Sequence, residues 1–178
     1  MIIAVNAGHC PGLDPGACGD YSQEADIVRD VAKIVCNELQ AVGHIAQFIQ
    51  EDDLGEVCEI ANCACADLFV SIHCNAAENP AACGTETFYY ADDDDENMED
   101  FKLAGRVQQR LLDCLGTYDR GLKDGSWLWV LRQTNMPAIL TEIAFISNPE
   151  EEKLMNDNIY RIGVAIANGI RDYINLDY

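Results

Sequence analysis

Positive charge is scarce in this sequence. Eleven Lys and Arg stand against 31 Asp and Glu, for a formal net charge of -20. A surface of that sign repels phosphate backbones and anionic lipid, so nucleic acid is excluded as a partner class. Long apolar runs are missing as well. Met1 is followed by only four apolar residues, Ile2 to Val5, with no basic segment ahead of them. No stretch approaches the roughly 20 apolar residues of a membrane helix. No Cys-x-x-Cys pair occurs among the nine cysteines, which argues against a structural zinc ribbon. An odd count also leaves one thiol over from any disulfide framework, and a domain of this size needs no such staples. The expectation is a chain made in a reducing cytoplasm, with nine free thiols and no membrane insertion.

What is present is an ordinary globular composition. Of 178 residues, 49% are apolar and 24% charged, enough for one core and one domain over residues 1–178. Short apolar runs alternate with stretches of helical spacing. Ile2–Val5 reads as a buried strand, Ile45–Ile49 and Leu68–Ile72 as the next two strands, and Thr85–Tyr90 alternates like a fourth. Trp127–Leu131 and Ala138–Thr141 read as two further short strands. Val28, Val31, Ala32, Val35, Leu39 and Val42 recur at helical spacing, with Ser22 as N-cap and Gly43 closing the helix. Leu54–Ala66 is helical, with Cys58, Ala61 and Cys65 on one face, and further helices are expected over 98–115 and 158–174. Residues 92–96 are five acids in a row and read as an exposed loop. Strands alternating with helices predict an α/β fold with a mainly parallel sheet.

Only three histidines occur, so each can be weighed. His44 sits between Gly43 and a strand, with no acid or thiol in pattern, as a turn residue does. His9 is framed by Gly8 and Pro11-Gly12, and His73 closes the strand from Leu68 to Ile72. Both fall at the C-terminal ends of predicted strands, the edge where open parallel sheets bind ligands. A hydrolytic metal centre needs three protein ligands and one open position, and His-His-Glu is one such set. A further carboxylate must then move the water proton. Spacing alone does not choose it among 31 acids, but two stand out. Glu24 opens the helix after the His9 loop, where the competing reading is a surface acid favoured by the helix dipole. Glu142 lies inside the apolar run from Pro137 to Ile146, where a carboxylate needs a partner or a task.

These residues resemble the zinc-dependent N-acetylmuramoyl-L-alanine amidases of the amidase-3 family. The resemblance is carried in chain order. It begins with Gly8-His9 and Asp14-Pro15-Gly16-Ala17, then Glu24 at the start of the first long helix. The segment from Ala66 to Ala76, which contains Ser71-Ile72-His73-Cys74-Asn75, follows, and Gly84-Thr85-Glu86-Thr87-Phe88 fits the strand after it. The last motif runs from Met136 to Asn148 around Thr141-Glu142-Ile143.

The resemblance implies a single α/β domain with a twisted, mostly parallel six-stranded sheet and helices on both faces. It implies one zinc ion per chain held by His9, Glu24 and His73, with Glu142 as general base and then general acid, and Asn75 as a substrate contact. The implied reaction is hydrolysis of the amide between N-acetylmuramic acid and the L-alanine of the peptidoglycan stem peptide, and the chain is expected to be a monomer. Two departures stand out. The usual Asp-Pro-Gly-His-Gly opening is here Asn6-Ala7-Gly8-His9-Cys10, which removes an acid near the first ligand. Phe48-Ile49-Gln50-Glu51 replaces a frequent Thr-Arg pair, so a basic contact is absent. Cys10 and Cys74 each follow a candidate ligand and read as small buried side chains. Two other readings remain: a different zinc amidohydrolase or peptidase on the same scaffold, and a non-catalytic peptidoglycan-binding domain. The expected context is an endolysin or autolysin released to the cell wall from the cytoplasm, or a domain trimmed from a longer secreted protein.

Overall fold

The apolar run behind Met1 opens a sheet that the rest of the chain builds outward in both directions. The computed structural model describes residues 1–91 and 99–175, so the acidic run at 92–96 lies outside the described residues. The elements run β1 (Ile2–Ala7), α1 (Glu24–Ala41), β2 (Ile45–Ile49), α2 (Leu54–Cys63), β3 (Leu68–Asn75) and β4 (Thr85–Tyr89). They continue with α3 (Glu99–Leu115), β5 (Asp119–Asp124), α4 (Trp129–Arg132), β6 (Ala138–Phe145) and α5 (Pro149–Ile174). The sheet order is β2-β1-β3-β6-β4-β5. The pairs β1–β2, β1–β3, β3–β6 and β4–β5 are parallel, and only β4 against β6 is antiparallel. This is the single α/β domain with a mostly parallel six-stranded sheet that the sequence predicts.

Alternation along the strands divides the core in two. Ile3, Val5, Val70 and Ile72 pack with α1, α3 and α5 on one face. Ala4, Phe69 and Leu140 pack with α2 and α4 on the other. The chain leaves β1 for β2 on one side, while β3 lies on the opposite side of β1. The carboxyl ends of β1 and β3 therefore flank a topological switch point, where open α/β sheets form a crevice.

Several elements differ from the sequence reading. Trp127–Leu131 is not a strand. Leu128 caps the short helix α4, which buries Val130 and Leu131 against the α2 side of the sheet. An apolar run of that length does not distinguish a strand from a buried helical turn. The sixth strand is instead β5, whose sequence Asp-Arg-Gly-Leu-Lys-Asp forms a polar sheet edge. Helix α2 stops at Cys63, and Cys65 is exposed at φ 50°, so Cys65 does not share the buried face of Cys58 and Ala61. Helix α5 starts at Pro149 behind the capping side chain of Asn148, and non-helical angles at Asn158 mark the expected start inside it.

Ser22 is not the N-cap of α1. Gln23 occupies that position without a side-chain cap, and the Ser22 hydroxyl donates to Glu152 at 2.6 Å. Glu152 is fully buried and also accepts from the backbone N–H groups of Asp20, Tyr21 and Ser22 at 2.9, 3.0 and 2.8 Å. Burial works to raise this carboxyl, but the Ser22 hydroxyl and the three amides outweigh it and hold it below the usual range. The stabilisation is therefore complete above the ordinary Glu value of about 4.3 and is lost as pH falls through the lower folded value. Replacing Glu152→Gln is expected to cost about 2 kcal/mol at neutral pH in urea denaturation. The gap should shrink as the parent protonates in acid. A gap that persists unchanged to about pH 2 would contradict this account.

Candidate active site

The switch-point crevice gathers the chemistry. β1 ends at Ala7, and the Gly8 N–H donates to the Ile72 carbonyl at 3.0 Å, which ties the start of the loop to β3. His9 then takes φ +60°, a left-handed conformation rare for a side chain with a Cβ and typical of functional sites. The ladder between β3 and β6 pairs His73 with Glu142 and then slips, so that Asn75 pairs with Phe145. Such a bulge re-aims side chains at a sheet edge.

Glu24, 3% exposed, is the hub. Its Oε1 lies 2.9 Å from His73 Nδ1 and accepts the Cys74 N–H at 3.0 Å. Its Oε2 lies 3.2 Å from His9 Nε2 and accepts the Ala17 N–H at 2.9 Å. The other nitrogen of His9, Nδ1, meets Asp14 Oδ2 at 2.6 Å, and Asp14 also accepts the Gly16 N–H at 2.9 Å. Burial works to raise the Glu24 carboxyl, but both histidines and the Ala17 amide hold it far below the usual range. The Glu24 carboxylate raises His9 to about 9, against burial and with help from Asp14. The His9 ring, followed by the Gly16 amide, lowers Asp14.

One donor atom each from His9, Glu24 and His73 lies within 4.8 Å of the others. Ligands about 2.0–2.1 Å from a tetrahedral ion stand roughly 3.3 Å apart, and the His–Glu separations of 2.9 and 3.2 Å are of that order. Two imidazoles and an ionised carboxylate are donors suited to zinc, and a carboxylate on the outer nitrogen of one imidazole is a frequent support for such a ligand.

Glu142 stands beside this cradle. Its Oε2 is buried and has no hydrogen-bond partner among the described residues. Burial pushes its carboxyl up to about 7, opposed by His73 and assisted by Glu24 and Glu86. A carboxyl poised near neutrality can both take and return a proton.

The backbone packs tightly around these groups. A Cβ on Gly8 would fall 2.2 Å from the His73 ring, and one on Gly16 would fall 2.6 Å from the His9 ring and 2.7 Å from Glu24 Oε2. Replacing Gly8→Ala is therefore expected to displace His73 and lower divalent-metal affinity by about 10–100-fold, the scale of a lost support for a ligand. A chelator competition would measure it, and unchanged affinity would show that His73 moves without consequence.

The structure thus brings His9, Glu24, His73 and Glu142 together. Asn75 is nearby, but its side chain is already engaged. Its Nδ2 donates to Glu86 Oε1 at 2.6 Å and its Oδ1 accepts the Ala76 N–H at 2.9 Å. Cys74 is buried, and burial pushes its thiol well up, while Cys10 is half-buried. All nine cysteines are free. Three neighbours escaped the sequence reading: Asp14 as the partner of His9, and the pair of Glu86 with Arg120. Asp14 sat in a quoted motif, whereas nothing in sequence spacing links Glu86 to Arg120. A cavity of about 340 Å³ adjoins His9 and His73, lined also by Asp14, Glu51, Asp52, Leu54 and Trp129.

An α/β domain with this donor set at its switch point could hold a metal ion and is of the kind that hydrolases use. The chain belongs to the N-acetylmuramoyl-L-alanine amidase family, whose model matches residues 3–172. It is 35% identical over 177 residues to YqiI of Bacillus subtilis (strain 168), covering 96% of this chain and 84% of that protein. It is 34% identical over 169 residues to the N-acetylmuramoyl-L-alanine amidase LytC of the same organism, covering 93% of this chain but only 33% of LytC. Among solved structures, the N-acetylmuramoyl-L-alanine amidase AmiC2 of Nostoc punctiforme matches with a TM-score of 0.89 at 28% identity, covering 98% of this chain and 97% of that one.

Proposed function

We propose that residues 1–178 form a zinc-dependent catalytic domain that hydrolyses the amide between N-acetylmuramic acid and the L-alanine of the peptidoglycan stem peptide. The observation that carries this reading is the convergence of His9, Glu24 and His73 within 4.8 Å beside Glu142, whose buried Oε2 has no partner among the described residues. His9, Glu24 and His73 would hold one zinc ion. Bound zinc supplies Lewis-acid polarisation of a carbonyl and lowers the pKa of water to about 7. Asp14 keeps His9 in the tautomer that leaves Nε2 available as a ligand. Glu24, ionised across the working pH range, offers charge to both imidazoles' side of the cradle. Glu142 takes the proton of the attacking water and returns it to the nitrogen of the departing L-alanine.

The test is digestion of purified peptidoglycan by the zinc-loaded protein, read by mass spectrometry. Stem peptides with a free L-alanine amine, together with muramic acid bearing an intact lactyl carboxylate, are the expected products. Peptide fragments cut within the stem, with the lactyl amide intact, would instead identify a peptidase.

A further inference from the structure

Basic side chains are few, and several pair on exposed helical surface, as Arg29 does with Asp26, Lys102 with Glu99 and Arg110 with Asp172. Arg120 is different. It projects from β5, and its Nε donates to Glu86 Oε2 at 2.9 Å. Glu86 is 6% exposed, and its second oxygen holds the Asn75 amide. The Arg120 guanidinium lies over the Phe145 ring, 4.9 Å from its centroid, and its Nη1 makes a long contact of 3.4 Å to the Cys83 carbonyl. Nη2 has no partner among the described residues, and the side chain is 34% exposed. The result is a cation fixed on three sides with one donor edge facing solvent. An ion pair built only to neutralise Glu86 would turn its two-nitrogen fork onto the carboxylate. This one uses a single nitrogen for Glu86.

The position is as informative as the chemistry. Glu86 is the cross-strand partner of Glu142, and Asn75 lies two residues beyond His73 on β3. Arg120 therefore sits about two strand spacings, roughly 10 Å, from the column that carries Glu142. In a stem peptide the residue after L-alanine is a γ-linked D-glutamate, whose α-carboxylate is either free or amidated. Along an extended chain that carboxylate lies on the order of 7 Å from the scissile carbonyl. The remaining distance is within reach of an arginine side chain. A protein with a net charge of -20 repels an anionic peptide unless a local cation receives it.

We infer that Arg120 determines specificity by receiving the free α-carboxylate of the second stem residue on its open guanidinium edge. The inference rests on the amidase reading above. Its test compares two muropeptides that differ only in whether that carboxylate is free or amidated. The parent should favour the free acid by about tenfold or more in kcat/KM, as a site built for a charged hydrogen bond does. In Arg120→Met the ratio should fall to about one, with the loss carried by KM for the free acid. Because that change leaves Glu86 buried without its cation, the double variant Glu86→Gln/Arg120→Met is measured beside it, and the same collapse is expected. Arg120→Lys should keep part of the preference. The ratio cancels any effect of these changes on folding or on Glu142. A parent that cuts both substrates equally, or variants that keep the parental ratio, would overturn the inference and leave the amidase reading intact. Cleavage of neither substrate by the parent would overturn the amidase reading, and this inference with it.

Discussion

Replacing Glu142→Gln is expected to lower kcat by about 10³–10⁴-fold, the upper range of a lost general base, while bound zinc stays at one ion per chain. The expectation follows from where the carboxylate sits. Its Oε2 is buried and has no hydrogen-bond partner among the described residues, so no hydrogen bond to that atom explains a carboxylate in the apolar strand β6. A second measurement separates this role from a structural one. The folded Glu142 carboxyl is raised to about 7, so ionising it costs stability as pH rises from the ordinary carboxylate value through neutrality. Metal-stripped Glu142→Gln protein should therefore be more stable than the parent above about pH 7, with no such advantage below about pH 4. Turnover near the parental level in this variant would remove Glu142 from the mechanism.

Glu24→Ala should do the reverse and damage both metal binding and the fold. The substitution strips the buried Cys74 N–H and the part-buried Ala17 N–H of their acceptor. Each orphaned amide costs about 1–3 kcal/mol, so a loss of roughly 2–6 kcal/mol is expected in denaturant unfolding of the metal-free protein. That contribution is present above the ordinary carboxylate range, because the folded Glu24 value is depressed, and it disappears only in strong acid. Zinc affinity should fall by more than the roughly 10–100-fold expected when only a ligand's outer partner is removed. Asp14→Asn supplies that comparison within the same protein. Equal losses for the two variants, read by isothermal titration with zinc, would show that Glu24 supports the site without serving as a ligand.

The sequence and the structure agree where a single segment carries the whole signal. The strands at Ile2, Ile45 and Leu68 announce themselves by apolar runs, and the α1 face by its spacing. Glu142 was conspicuous as a charge in an apolar run. Disagreement arises where a residue's fate depends on a distant partner. Ser22 has the chemistry of a cap but spends its hydroxyl on Glu152, 130 positions away. The β5 segment has one large apolar residue, Leu122, and becomes a strand because β4 offers a free ladder. Trp127–Leu131 shows the converse: it forms a helical turn that buries only Val130 and Leu131, on the α2 side of the sheet, and leaves both tryptophans exposed. At the site, Arg120 reaches Glu86 across 34 positions, and no local pattern encodes that meeting.

The clasp between the loop at residues 20–22 and Glu152 has a consequence for how the enzyme is born. The loop amides are made first, and their acceptor follows 130 residues later. At about 5–20 residues per second, that is a wait on the order of ten seconds. During that interval the turn leading into Glu24 lacks its anchor. The order of the turn before Glu24 therefore waits until α5 has been made.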